Sequence, residues 1–301
     1  MAEEDQWIFL SGEFVRKEDA KISVYDHGFL YGDGVFEGIR AYDGVLYKLD
    51  EHLLRLYESA KSIMLDIPYD VVEMRELVVD TVRKNDLRDA YVRLVVSRGV
   101  GNLGLDPNSC STAQVVIIAE ELALFPKELY ETGLEIVSVA TRRNRPDVLS
   151  PKVKSLNYLN NILVKIEANL AGVPEALMMN NEGFVAEGSG DNIFLVKNKT
   201  LYTPPGYVGA LEGITRQAII ELAEEEGYVI KQEPFTRHDV YVADEVFLTG
   251  TAAEVIAVVK VDGRVINDGK PGPETEYITE RFRDKVKTDG TSVYGEEIEV
   301  G

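Results

Sequence analysis

Lys154 and Glu187 are the two residues whose types and surroundings could do chemistry in this chain. Lys154 lies in Ser-Pro-Lys-Val-Lys-Ser-Leu-Asn-Tyr, residues 150–158, at the mouth of an apolar helix expected over 158–170. Glu187 lies in Val-Ala-Glu-Gly-Ser-Gly-Asp-Asn, residues 185–192, closing a strand expected over 184–187. A lysine amine can condense with an aldehyde as a Schiff base, and a carboxylate can hold a protonated ring nitrogen. Lys152 stands close ahead of Lys154, so spacing alone does not say which lysine would react. A lysine before a helix is also, by itself, an ordinary solvated residue.

Two stretches suit an anion. Leu211-Glu212-Gly213-Ile214-Thr215-Arg216 enters a helix expected over 214–226, where unpaired N–H groups and the helix dipole face outward. Leu248-Thr249-Gly250-Thr251-Ala252-Ala253 runs from a strand end into a small-residue turn with hydroxyls. Each also reads as an ordinary capped turn, and neither carries a dinucleotide glycine fingerprint or a P-loop. In 91–97, alternation puts Tyr91, Arg93, Val95 and Ser97 on one face and Val92, Leu94 and Val96 on the other. An arginine among valines must be exposed, paired or bound to an anion, and its fork suits a carboxylate. Arg55, among Glu51, Glu58, Ser59 and Ser62, reads from the residues alone as a solvated helix-face charge. His27, His52 and His238 lack metal-ligand spacing, so no metal is expected. The single Cys110 excludes an intramolecular disulfide and a multi-thiolate site.

These residues must be held by a chain of 301 residues, a length that favours two domains. The formal net charge of -20 argues against a nucleic-acid partner, which would need a basic stripe. The acidic N-terminus has no long apolar run, so no signal peptide or membrane span is expected and a cytoplasmic location is. Strands are expected over 7–10, 13–16, 34–42, 91–97 and 114–119. Helices are expected over 71–84 and after Asp50, read as an N-cap. The pattern breaks at Leu124-Phe125-Pro126, which sets a first domain of 1–123, a loop of 124–130 and a second domain of 131–301. In the second, strands are expected over 134–141, 176–180, 192–196, 201–203, 245–249 and 255–261, with a last helix over 273–286. The final fifteen residues are expected to be poorly ordered.

Taken in order, the motifs are Tyr31-Gly-Asp-Gly-Val-Phe-Glu-Gly-Ile-Arg40, Glu51-His-Leu-Leu-Arg55-Leu, Tyr91-Val-Arg93, Lys154-Ser-Leu-Asn-Tyr158, Glu187-Gly-Ser-Gly-Asp-Asn192, Gly213-Ile-Thr-Arg216 and Gly250-Thr-Ala-Ala-Glu254. Over nearly its whole length the chain resembles a branched-chain-amino-acid aminotransferase of the fold-type IV pyridoxal phosphate enzymes. The resemblance implies an α/β (α+β) fold, with a smaller N-terminal α/β domain, a larger C-terminal pseudo-barrel domain and pyridoxal 5'-phosphate between them. It implies a homodimer or a hexamer built as a trimer of dimers, in which a neighbouring subunit helps to close the substrate pocket. Lys154 rather than Lys152 would carry the Schiff base, Glu187 would meet the pyridine nitrogen, and Tyr158 the phenolic oxygen. Arg55, Ile214, Thr215 and Thr251 would hold the phosphate, which gives Arg55 a second reading, and Leu211, Gly213 and Gly250 would also bind the cofactor. Tyr31, Phe36, Gly38, Arg40, Tyr91, Arg93, Thr251, Ala252 and Ala253 would line the substrate site, with Arg93 and a hydroxyl such as that of Tyr31 receiving a carboxylate.

The implied reaction moves the amino group of L-leucine, L-isoleucine or L-valine to 2-oxoglutarate, so small amino acids and 2-oxo acids are the expected partners. Gly32-Asp33-Gly34 departs from the small polar pair of bacterial members and is similar to the D-amino-acid transaminase spelling. D-amino acids or (R)-amines are therefore the alternative donors. Phe36-Glu-Gly-Ile-Arg40 and Gly250-Thr-Ala-Ala253 favour the branched-chain branch, also over aminodeoxychorismate lyase.

Overall fold

A computed structural model describes residues 6–122 and 124–295, which form two compact units. The first takes the described parts of 1–122, 153–157 and 285–301; the second takes those of 123–152 and 158–284.

In the first unit the chain runs β1 (Trp7–Leu10), β2 (Glu13–Arg16), α1 (His27–Tyr31), β3 (Gly34–Tyr42), β4 (Val45–Tyr47), α2 (Leu49–Ser62), α3 (Val71–Lys84), β5 (Ala90–Ser97) and β6 (Gln114–Glu120), and later β16 (Gly290–Ser292). The seven strands make one sheet in the order β16-β4-β3-β5-β6-β1-β2, antiparallel at every pairing. Alternation along β5 sends Val92, Leu94 and Val96 into the core and leaves Tyr91, Arg93 and Val95 half-buried on the other face. Leu53 and Leu56 of α2 and Val78 and Val82 of α3 complete that core against Ile39, Leu94 and Ile117. Asp70 starts α3 with a capping box closed by Glu73. Asp50, expected as a cap, instead lies in the first turn of α2; the N-cap is Lys48, whose left-handed backbone (φ 50°) turns the chain directly out of β4.

That turn leaves β4 short. Asp43 and Gly44 both have positive φ (47° and 81°), as a tight hairpin requires, and β4 then pairs with β3 only at Ala41–Leu46 and Tyr42–Val45. The N-terminal part of the β3 edge is taken by residues 153–157, through a bridge between Val35 and Ser155.

The second unit contains α4 (Lys127–Thr132), β7 (Leu134–Ser138), α5 (Leu159–Leu170), β8 (Glu175–Met179), β9 (Val185–Gly188), β10 (Asn192–Lys197), β11 (Thr200–Thr203), α6 (Ile214–Glu225), β12 (Val229–Gln232), α7 (Arg237–Tyr241), β13 (Glu245–Gly250), β14 (Glu254–Val261), β15 (Arg264–Val265) and α8 (Pro273–Lys285, whose last residue belongs to the first unit). Its sheet runs β12-β11-β10-β13-β14-β7-β8-β9, with β15 on β14. Four strands separate β9 from β10 in that order, which in a flat sheet would hold them about 24 Å apart. Yet only a tight turn through Ser189 and Gly190 joins them, with Gly188 N donating to Asp191 O at 2.6 Å. The sheet must therefore curl into an open barrel. Leu177, Ile193, Leu248 and Ile256 fill one side of it, and Phe194 stacks on Phe247 at 5.0 Å.

Several boundaries differ from expectation. Residues 127–130, expected in a loop, begin α4, which includes Tyr130. The strand expected to reach residue 141 ends at Ser138. The final stretch is part ordered strand, β16, because its backbone completes the open edge of β4; residues 296–301 lie outside the described residues. Among the described residues no helix is long and apolar enough to cross a membrane.

Candidate active site

Lys154 is fixed by its backbone. Phe36 N donates to Lys154 O at 3.0 Å, and Leu156 N donates to Gly34 O at 2.9 Å, so the segment extends the sheet. Lys154 N also donates to Ser59 Oγ of α2 at 3.2 Å, and its Nζ lies 4.6 Å from the centroid of the Phe36 ring. Lys152 is exposed, with its amine 2.6 Å from Glu212. The two lysines that spacing could not separate thus differ sharply: one is docked on a sheet, the other is spent on a surface ion pair.

Beside Lys154 on α2, Arg55 is not the solvated charge that its neighbours in sequence suggest. Its Nε donates to Glu37 Oε1 and its Nη2 to Glu37 Oε2, both at 2.7 Å. Glu37 is 0 % exposed, and His52, 2 % exposed, places Nδ1 2.8 Å from Glu37 Oε2. Burial alone would raise the Glu37 carboxyl, but the charge and hydrogen bonds of Arg55, with those of His52, outweigh it and bring it down to about 2. Burial pushes the His52 imidazole below its ordinary range, aided by the charges of Arg55 and Lys154 and opposed by Glu37. Next to a carboxylate that carries no proton, His52 Nδ1 is the donor of their shared hydrogen bond.

On the opposite face of β3 and β5, Arg93 lies over Phe36 with 4.7 Å to the ring centroid, and its Nη2 donates to Tyr91 Oη at 2.9 Å. Gly38 is paired with Arg93, and a Cβ there would overlap the Tyr91 hydroxyl. Arg40 lies 5.0 Å from the Tyr42 ring centroid. Tyr31, at the end of α1, donates its hydroxyl to Leu103 O at 2.6 Å, so the hydroxyl that Arg93 meets on its own sheet is that of Tyr91. Asp33, the residue that departs from the bacterial spelling, accepts from Arg98 with both oxygens, at 2.9 and 3.0 Å. Arg98 in turn donates to Ile63 O and Met64 O at the end of α2. Asp33 is a tether for that helix.

In the second unit Glu187 is buried, and Arg143 Nε lies 2.7 Å from its Oε1. Leu211 N donates to Oε2 at 2.8 Å, and Asn192 Nδ2 lies at 3.5 Å. A carboxylate offers about four lone-pair sites, so Glu187 retains capacity for one more N–H donor. Arg143 is held by Gly209 O, Asn160 and Asn161, each at 3.2 Å. Gly213 is the N-cap of α6 and has no side-chain cap, which leaves Ile214 and the buried Thr215 to begin the helix. Arg216 ties this turn down through Thr203, Pro204 and Gln232. A Cβ at Gly213 would overlap Asn192, and one at Gly250 would overlap Asp191, so both candidate phosphate turns close on consecutive residues entering β10. The Thr249 hydroxyl, on the strand between β10 and β14, is buried with no hydrogen-bond partner among the described residues. Thr251, Ala252 and Ala253 form the turn into β14, and Tyr158 occupies the N-cap position of α5.

The sequence matches the profile of the amino-transferase class IV family over residues 34–261. A relative from Methanocaldococcus jannaschii, a putative branched-chain-amino-acid aminotransferase, is 55% identical over 289 residues, covering 96% of this chain and 99% of its own. The chain belongs to the branched-chain-amino-acid aminotransferase family. The solved structure of the Escherichia coli branched-chain amino acid aminotransferase superposes with a TM-score of 0.92 at 37% identity, covering 97% of this chain and 98% of that one. A second solved branched-chain amino acid aminotransferase, complexed with N-(5'-phosphopyridoxyl)-L-glutamate, gives 0.89 at 37% identity, covering 98% and 99%. A third, from the thermophilic archaeon Thermoproteus uzoniensis and solved with norvaline, gives 0.89 at 39% identity, covering 96% and 99%. As in the aminotransferases of this family, the architecture is that of fold-type IV, with the curled sheet described above.

A phosphorylated pyridine cofactor fits the groups present in this aminotransferase. The open position on Glu187 suits a protonated ring nitrogen, and the uncapped turn at Gly213 with the unpaired Thr249 hydroxyl suits a phosphate. Among the described residues no group of His, Cys, Asp and Glu could hold a metal ion. Sequence reasoning missed Arg143 and the pairing of Glu37 with His52. Arg143 stands in Thr-Arg-Arg-Asn-Arg, where nothing in the pattern selects one arginine. Glu37 did leave a signal: it shares a strand face with Val35, Ile39 and Ala41, where a carboxylate requires a partner.

The depressed Glu37 carboxyl makes stability depend on pH. Its contribution is whole above the ordinary value of 4.5 and is lost as pH falls through about 2. His52 acts in the same direction, because the unfolded chain takes up its proton from about pH 6.5 downward while the folded chain resists. Urea midpoints of the wild type and Glu37→Gln are therefore expected to draw together as pH falls from about 4.5 towards 3. Curves that stay parallel would show that Glu37 is not a buried anion.

Proposed function

We propose that this chain transfers the amino group of L-leucine, L-isoleucine and L-valine to 2-oxoglutarate, with pyridoxal 5'-phosphate held covalently at Lys154. The observation that carries this reading is the docking of Lys154 on the β3 edge above Phe36, while Lys152 is committed to Glu212. Bound pyridoxal 5'-phosphate supplies an electron sink that makes the Cα–H of an attached amino acid acidic. The Lys154 amine would serve as the base that takes that proton and gives it back. Glu187 holds the proton on the pyridine nitrogen, and Arg143 matches the carboxylate's charge so that the pair remains buried. Tyr158 meets the phenolic oxygen. Arg55, Ile214, Thr215 and Thr251 would hold the phosphate, and Leu211, Gly213 and Gly250 would complete the cofactor site. The similar enzyme complexed with a phosphopyridoxyl glutamate supports both the cofactor and the glutamate arm of the reaction.

Phe36, Gly38, Arg40, Tyr91, Arg93, Thr251, Ala252, Ala253 and Tyr31 are the residues assigned to the substrate. Phe36 suits an aliphatic group, the missing side chain at Gly38 makes room for the Tyr91 hydroxyl, and Arg93 braced by Tyr91 suits a carboxylate. Asp33, the residue that raised D-amino acids and (R)-amines as alternative donors, spends both oxygens on Arg98, so it lends those donors no support.

The functional assembly is at least a homodimer of a cytoplasmic enzyme. Ile22, Val24, Tyr25, Phe29, Leu103 and Leu105 are exposed apolar side chains, and they belong to one surface because Asp26 bridges Val100 and Tyr31 bonds Leu103 O. A patch of this kind marks an interface rather than a solvated face, and a second copy of this chain is the occupant.

A half-reaction survey tests the reading. Loss of the visible absorbance of the purified holoenzyme is followed after adding one donor at a time. L-Leucine and L-glutamate are expected to bleach it at least about 100-fold faster than D-alanine or (R)-1-phenylethylamine. Faster bleaching by D-alanine than by L-leucine would overturn the specificity, and a colourless wild type unable to take up the cofactor would overturn the reaction.

A further inference from the structure

Glu37 has no packing reason to be charged. It lies on the core face of β3 between Val35 and Ile39, where packing alone would be met by an apolar side chain; exchanging a whole buried ion pair for apolar residues is often neutral or stabilising, whereas removing one partner alone is costly. What the carboxylate does is grip Arg55. The contact is fork to fork, Nε to Oε1 and Nη2 to Oε2 at 2.7 Å each, which fixes the guanidinium plane and decides which edge faces away from Glu37. His52 then fixes the carboxylate from a second side, at 2.8 Å. His52, Arg55 and Ser59 are spaced along one side of α2, and Ser59 receives the backbone N–H of Lys154. One helical stripe therefore supports both the arginine and the lysine of the proposed site.

We propose that Glu37 is a positioning residue: with His52 behind it, it aims the Arg55 guanidinium at the cofactor's phosphate and does not touch the cofactor itself. This rests on the reading of Arg55 as a phosphate ligand, and the experiment separates the two. The apoenzyme is titrated with pyridoxal 5'-phosphate to give a dissociation constant, and the phosphorus-31 resonance of the bound phosphate is recorded. Glu37→Gln is expected to raise the dissociation constant about 10- to 100-fold and to move or broaden the resonance, as Arg55→Ala does. The double variant is expected to be no worse than Arg55→Ala alone, since both changes remove one interaction. His52→Gln, which removes only the outer support, is expected to give a smaller loss of the same kind.

If Glu37→Gln binds the cofactor with the wild-type constant and resonance while Arg55→Ala is weakened, the proposal fails and the reading of Arg55 stands. If Arg55→Ala itself binds as tightly as the wild type, that reading fails and takes the proposal with it. Losses that add in the double variant would show that Glu37 acts apart from Arg55, and would also overturn it. Should Glu37→Gln not fold, Glu37→Asp, which keeps the charge but shortens its reach, decides by the same resonance: a shift supports the proposal and a wild-type signal overturns it.

Discussion

A short run of backbone hydrogen bonds along the β3 edge governs the rest of the arrangement. Because β4 turns away after pairing only at Ala41 and Tyr42, the edge from Gly34 onward would carry unpaired backbone groups. Residues 153–157 satisfy them, and they reach this place although the chain on either side of them belongs to the second unit. The consequence is chemical. Lys154 lies in a connecting segment that two backbone hydrogen bonds and a bridge pin to the sheet, which places it more closely than a free loop would. The same edge sets the order of side chains around the lysine, with Phe36 beneath its amine and Ser59 at its backbone nitrogen.

Two buried carboxylates repeat one design. Glu37 and Glu187 are each matched by an arginine at 2.7 Å, and each accepts a further hydrogen bond, from His52 and from Leu211 N respectively. Burying such a pair costs several kcal/mol in desolvation per ion, so neither is an inexpensive way to stabilise a core. What both gain is fixed geometry. An oriented charge that need not reorganise during reaction is the main means by which a protein stabilises developing charge. Glycines serve the same end at Gly213 and Gly250, where a side chain would push the turns off Asn192 and Asp191.

Much of this was legible in the sequence. The strands at 7–10 and 13–16, the β3 strand, the α3 helix and the alternation along β5 follow from local patterns that tertiary contacts do not override. Arg55 shows where local reading stops: its sequence neighbours are polar, but its partner Glu37 lies on another element, and helix spacing says nothing of it. Asp33 is similar, since its meaning depends on Arg98. The proposed preference for Lys154 over Lys152 could not be read from spacing because it rests on an edge left open far upstream, by the length of β4. Short strands such as β4, β12 and β16 escaped notice for the complementary reason, being too brief to show a period and held by their neighbours.

The central claim, that the sheet edge selects Lys154 for covalent attachment of the cofactor, is tested most directly by trapping the attachment. The holoenzyme is reduced with borohydride, digested and mapped by mass spectrometry. The account predicts a phosphopyridoxyl group on Lys154 and an unmodified Lys152; a label on Lys152, or on neither lysine, would contradict it.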